Sequence, residues 1–206
     1  MRVGADRLLA WSDLAATMLF AIEGASAGAL AGLDVFGMMV AAFSTALVGG
    51  MVRDVLLGDT PPTALRRPEL AGVAFAGGAI VYVIYQFVDS IDSDVITVLD
   101  ALGLGLFATN GAAKALGARV HPTTAVLLGT LTAVGGGTVR DVLLNRTPDV
   151  LVEHIYAVAA LLGAVLFVLV VGRGGQRYVA LGVGVAACFA LRVVSVWQDW
   201  NLPKVR

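Results

Sequence analysis

Two stretches hold the residues best suited to chemistry. GGMVRDVLL at 49–57 and GGTVRDVLL at 136–144 each set an Arg-Asp pair just after a glycine cluster. The pairs are Arg53-Asp54 and Arg140-Asp141, and both lie near the end of a long apolar run. Ionised groups beside hydrocarbon are costly unless they face a bundle interior or a hydrated cavity. The chemistry they suit is therefore charge pairing along a polar route. Neighbouring helical residues point about 100° apart, so an arginine facing a central path leaves its aspartate to cap or pair with another element. Cross-pairing, Arg53 with Asp141 and Arg140 with Asp54, is one expected arrangement. Two roles stay open for the pairs, a structural lock between the two copies and a part in conductance or gating.

Glu23 and Asn110 occupy equivalent positions, 87 residues apart, near the middle of two other apolar runs. They suit either a polar waist on a cation path or interhelical hydrogen bonding. Lys114 and Arg192 are further charged candidates, with snorkelling to the interface as their simpler reading. Ser44, Thr45, Thr130, Thr132 and Thr138 offer hydroxyls to a path, or bond to the backbone one turn earlier. Gly49, Gly50, Gly135, Gly136 and Gly137 suit either helix bends that expose backbone carbonyls or close helix packing; the adjacent Arg-Asp pairs favour the bend.

These residues sit in a chain of 206 residues that is 58% apolar and only 14% charged. A soluble domain carries about 25% charge, and too little polar surface is present here to cover a soluble globule. A formal net charge of −1 offers no footprint for nucleic acid. Apolar runs at 14–33, 36–56, 70–88, 98–116, 123–143, 152–171 and 178–197 predict seven transmembrane helices. The first run has no convincing cleavage site after it and reads as a membrane span, not a removed signal. Tyr82, Tyr85, Trp197 and Trp200 lie towards run ends, where amphipathic rings favour the interface.

The duplication extends beyond the motif at a constant offset of 87: Thr60-Pro61 returns as Thr147-Pro148, Phe20-Ala21 as Phe107-Ala108, Gly24-Ala25 as Gly111-Ala112, and Asp13 as Asp100. Three helices per copy is an odd number, so the second copy enters the membrane from the opposite face. The predicted fold is thus an all-α integral membrane protein with seven transmembrane helices in one domain, 1–206. Two inverted three-helix repeats, 10–96 and 97–172, precede a seventh helix with a short tail, 173–206. Inverted repeats place matched residues around the membrane middle.

Seven crossings put Arg2, Arg7, Arg66, Arg67, Lys114, Arg119, Arg173 and Arg177 on one side, against Arg146, Lys204 and Arg206 on the other. Eight against three predicts a cytoplasmic N-terminus. Asp89, Asp92 and Asp94 fall on the opposite side, as an ordinary hydrated loop or a vestibule that concentrates cations. Cys188 is the lone cysteine and lies in an apolar run. His121, before Pro122, suits a cap, and His154 is isolated. No metal-ligand spacing or nucleophile motif occurs, so no metal and no catalytic residue is expected.

The doubled GG-x-x-RD-x-L-L segment followed by Thr-Pro resembles the prokaryotic trimeric intracellular cation (TRIC) channel family, which overlaps small bacterial membrane proteins labelled putative glycine transporters. The resemblance covers about residues 10–195. It implies a homotrimer in the bacterial inner membrane, not an enzyme, with one hourglass pore per protomer for monovalent cations, mainly potassium. It also implies that the glycine clusters of the second and fifth helices are the kinks, with Arg53 and Arg140 as basic motif residues beside Asp54 and Asp141. Val48 departs from the pattern, standing where the second copy has Gly135. No cofactor is expected; potassium is the permeant species, and membrane lipids, bound lipid included, are the remaining partners. A secondary transporter for glycine or another small amino acid is the alternative function.

Overall fold

The computed structural model describes the backbone of residues 2–88, 90–152 and 155–200, and side chains from residue 7. Every regular element among them is an α-helix: α1 (Arg2–Leu30), α2 (Val35–Leu56), α3 (Thr63–Arg66), α4 (Pro68–Ile84), α5 (Ser93–Gly117), α6 (Pro122–Leu143), α7 (Asp149–Val152), α8 (Tyr156–Gly172) and α9 (Arg177–Trp197). Each apolar run of the sequence falls on one of the seven longer helices. Five of these, from Arg7–Leu30, Val35–Leu56, Ser93–Gly117, Pro122–Leu143 and Arg177–Trp197, are long and apolar enough to cross a membrane. The apolar helices α4 and α8 have 17 residues each, about 26 Å at 1.5 Å per residue. The first helix begins twelve residues before its apolar run, because Ala5, Leu8, Leu9 and Ala10 are good helix formers that extend it outward.

The duplication is visible in the elements. Helices α2 and α6 start and end 87 residues apart, and α4 and α8 have equal length. Both α2 and α6 stop at the same local device, a left-handed residue one position after the cap: Gly58 at φ 71° and Asn145 at φ 54°. Asn is the residue that most readily replaces glycine there. The amide of Asp59 then donates to the Asp54 carbonyl at 2.9 Å, and that of Arg146 to the Asp141 carbonyl at 3.0 Å. Each helix is thereby closed and the chain is turned into α3 or α7. Only α9 lacks a counterpart.

Equivalent helices meet one another. Helix α2 lies against α6 through glycine, with no side chain between the backbones. A Cβ on Gly49 would overlap the Thr132 carbonyl, and one on Gly136 the Thr45 carbonyl. Position 49 faces 132 while 45 faces 136, so the two helices run antiparallel where they touch. Small residues allow this approach, which maximises dispersion contact where no hydrophobic force joins helices in lipid. Helical structure continues unbroken through both glycine clusters. Gly50 and Gly137 face elsewhere: a Cβ at Gly50 would meet the Arg53 guanidinium, 3.6 Å from Nη2, and one at Gly137 would lie 3.9 Å from Arg140 Nη2 and 4.0 Å from Tyr156 Oη. Thus one glycine of each pair serves the helix contact and the other leaves room beside the guanidinium. In the middle of α1 and α5, Phe20 and its equivalent Phe107 meet edge-to-face with centroids 5.0 Å apart.

Candidate functional site

Both Arg-Asp pairs are buried, and both arginines fold back onto their own neighbour. Arg53 Nε donates to Asp54 Oδ1 at 2.8 Å, and Arg140 Nε to Asp141 Oδ1 at 2.8 Å. The cross-pairs expected from the sequence do not form. The 100° separation describes Cβ directions, whereas the arginine side chain is long enough to cover that arc and return. The antiparallel contact of α2 with α6 also lies before both arginines in sequence, so the two helices carry them away from it in opposite directions. The second aspartate oxygen tethers the next short helix: Asp54 Oδ2 accepts from the Thr63 amide at 2.8 Å, and Asp141 Oδ2 from the Asp149 amide at 3.1 Å.

Around this shared core the copies differ. Lys114 reaches from α5 to the first copy, 2.7 Å from Asp54 Oδ1, 2.8 Å from Asp59 Oδ2 and 2.6 Å from Thr63 Oγ1. It is a tether between copies, not a snorkelling lysine. The Lys114 hydrogen bond, with one from Arg66, holds the Asp59 carboxyl in the α2–α3 loop below its usual range. Asp141 instead receives Arg146, at 2.7 Å. Arg140 has two acids that Arg53 lacks, Glu23 from α1 and Asp149 Oδ2 at 3.1 Å. Glu23 thus supplies an interhelical ion pair across the copies. Its equivalent, Asn110, lies 2.9 Å from Ser12 Oγ.

Two cavities flank the Phe20–Phe107 contact along α1 and α5. The first, of about 280 Å³, is lined by Glu23, Ser26, Ala27 and Leu30 of α1, Ile96, Thr97 and Asp100 of α5, and Arg140. The second, of about 400 Å³, is lined by Asn110, Ala113, Lys114 and Gly117 of α5, Leu9, Ala10 and Asp13 of α1, and Arg53. These eight residues of each lining are 87-residue equivalents of one another, whereas Arg146, Asp149, Tyr156 and Arg192 line only the first cavity and Thr63, Arg67 and Arg177 only the second. The end of α1 and the start of α5 make one chamber, and the start of α1 and the end of α5 make the other.

Asp100 emerges as a central residue that sequence reading noted only as a match to Asp13. It accepts from Tyr156 Oη at 2.8 Å and from Arg192 Nε at 3.2 Å, while the Arg192 guanidinium lies 4.6 Å above the Tyr156 ring. Arg192 therefore belongs to the first chamber and does not snorkel. The identity of an acid at both repeat positions was the available signal. The hydroxyls of Ser44, Thr45, Thr130, Thr132 and Thr138 all donate to the carbonyl four residues earlier, with their acceptor lone pairs left over. Asp92 is exposed and caps α5, accepting from the exposed Asp94 amide at 2.8 Å; Asp89 lies outside the described residues, as does His154. His121 caps α6, accepting at Nδ1 from the Thr123 amide at 3.3 Å. Among the described residues, no group of three or more His, Cys, Asp or Glu could hold a metal.

A family model described as "Glycine transporter" matches residues 10–86 and again 97–171, starting at the same offset as the two copies. The chain belongs to this family. It is 36% identical over 158 residues to a UPF0126 membrane protein of Deinococcus radiodurans, covering 76% of this chain and 73% of the relative. Identity to the UPF0126 inner membrane protein YadS of Escherichia coli K12 is 35% over 159 residues, 77% of each chain. Two solved structures share the fold. One comes from work on the structural basis of conductance through TRIC cation channels, with TM-score 0.87, 33% identity and 95% and 96% of the two chains covered. The other is the TRIC orthologue from Rhodobacter sphaeroides, with TM-score 0.86, 33% identity and 93% and 98% covered. The resemblance read from the doubled motif is borne out. Members of this family are multi-pass membrane proteins, and the matched proteins are membrane proteins and channels, not enzymes.

Proposed function

We propose that this chain is a passive channel for monovalent cations, mainly potassium, with one pore per protomer in a homotrimer of the bacterial inner membrane. Seven helices cross the bilayer, α1–α4 and α5–α8 forming oppositely oriented copies. The observation that carries this reading is the matched pair of chambers, each lined in part by charged side chains, at opposite ends of α1 and α5. Antiparallel contact between equivalent helices supports the inversion, and the likeness to TRIC cation channels supports the function. The excess of basic residues on its side favours a cytoplasmic N-terminus.

Arginine beside a cation path is physically reasonable here because neither guanidinium is bare. Arg53 is neutralised by Asp54, and Arg140 by Asp141, Glu23 and Asp149. Ions then meet water, hydroxyl lone pairs and carboxylate oxygens in place of a rigid carbonyl filter. Selectivity among small cations is accordingly modest.

Purified protein in planar bilayers under a KCl gradient gives unitary currents that reverse near the potassium equilibrium potential. The family description keeps one rival in view, a carrier for glycine. Saturable glycine uptake into liposomes, with no unitary current, would replace the channel by that carrier.

A further inference from the structure

We propose that Glu23 Oε2 is a ligand of a monovalent-cation binding site in the first chamber, with Asn110 as its uncharged counterpart in the second; this rests on the cation-channel reading. Glu23 is 8% exposed, and its Oε2 is buried without a hydrogen-bond partner among the described residues. Its other oxygen is engaged by Arg140, which fixes the carboxylate and directs Oε2 away from the pair. A buried carboxylate oxygen with no donor carries the full cost of its lost hydration. A partly dehydrated cation relieves that cost directly.

The remaining acceptors fit. Ser26, one turn along the same face of α1, gives its proton to the Ile22 carbonyl at 2.8 Å, so only lone pairs are left for the chamber. Thr97 faces the same space from α5. Asp100 lines the same chamber, and its two oxygens are each already engaged once, by Tyr156 and by Arg192. The hard oxygen ligands of Glu23, Ser26 and Thr97 suit an alkali cation.

The second chamber holds the same position with different chemistry. Ser12 Oγ lies 3.0 Å from the Leu9 carbonyl and 2.9 Å from the Asn110 amide, yet it has one proton. As placed, Ser12 faces Asn110 Oδ1 and the buried Nδ2 has no partner among the described residues; turning the amide over lets its NH₂ donate to Ser12, satisfies both contacts and leaves the oxygen without a donor. Asn110 then presents a neutral oxygen where Glu23 presents a charged one. The first chamber sets Glu23, Asp100 and Asp149 against Arg140, Arg146 and Arg192, whereas Arg53, Arg67, Lys114 and Arg177 share the second with Asp13 as its one acid. Cations consequently bind tightly on one side of the Phe20–Phe107 contact and weakly on the other.

Thallous ion is the probe, read by anomalous diffraction from crystals of the intact protein and by conductance against ion concentration. The wild type shows thallium against Glu23 Oε2. Glu23→Gln loses that peak and needs about tenfold or more ion to reach half-maximal conductance. Asn110→Asp, which leaves the Arg140 pairing untouched, gains a second peak and saturates at lower concentration. Absence of thallium at Glu23 in the wild type, or its persistence in Glu23→Gln, overturns the proposal even if currents are normal. Thallium bound as expected in a protein that passes no unitary current overturns the channel reading and leaves the site standing.

Discussion

Gly49→Ala and Gly136→Ala each destabilise the protein, whereas Gly50→Ala and Gly137→Ala leave it close to wild type. The contrast follows from where each missing methyl would go. At positions 49 and 136 the new carbon overlaps a backbone carbonyl of the facing helix. No rotamer change moves a backbone carbonyl, so α2 and α6 must separate. Overpacking of this kind costs about 1–3 kcal/mol, and about 2–4 °C of melting temperature accompanies each kcal/mol in a chain of this size. At positions 50 and 137 the methyl meets only side-chain ends at ordinary contact distance, an arginine at both and the Tyr156 hydroxyl as well at 137, and alanine also removes glycine's helix penalty of about 1 kcal/mol. Thermal unfolding in detergent, followed by intrinsic fluorescence, checks all four. Equal losses at adjacent glycines would mean that helix bending, and not the contact, is what these residues provide.

Arg140→Met costs more than Arg53→Met, although the two arginines sit in the same motif. Removing Arg140 leaves Glu23 with no ion-pair partner among the described residues and takes one cation from Asp141 and Asp149. Breaking a buried pair from one side costs about 3–5 kcal/mol. When Arg53 is removed, Asp54 keeps Lys114 and the Thr63 amide, so the loss is smaller. Adding Glu23→Gln to Arg140→Met recovers part of the cost, with a coupling of about 0.5–3 kcal/mol. Urea or thermal unfolding of the four proteins measures it. Strict additivity of the two substitutions would show that Glu23 and Arg140 do not act as a pair.

The long apolar runs and the doubled motif made the helices and the duplication legible, because both are local or exactly periodic signals in one chain. The partners of the charged residues were less so. Arg140 with Glu23 and Lys114 with Asp54 join residues 117 and 60 positions apart, and only the packing of α1 and α5 against the copies brings them together. Cβ directions alone misjudged Arg53 and Arg140, since a long side chain can double back onto the next residue. Glycine clusters carry two meanings in sequence, bend and contact; the facing backbone shows the contact at Gly49 and Gly136 and not at Gly50 and Gly137. The pairing of Asp100 with Tyr156 and Arg192 depends on α9, which has no counterpart in the first copy, and on Tyr156 at the start of α8, where the first copy has Glu69.

The most direct test of oppositely oriented copies uses equivalent positions. Ala10 and Thr97 line different chambers, so single cysteines at each, placed in a Cys188→Ser background, report which side opens to which chamber. In inside-out and right-side-out membrane vesicles, a charged membrane-impermeant thiol reagent labels Ala10→Cys from one face only and Thr97→Cys from the other only. Labelling of both from the same face would contradict the inverted arrangement and the route through the bilayer that depends on it.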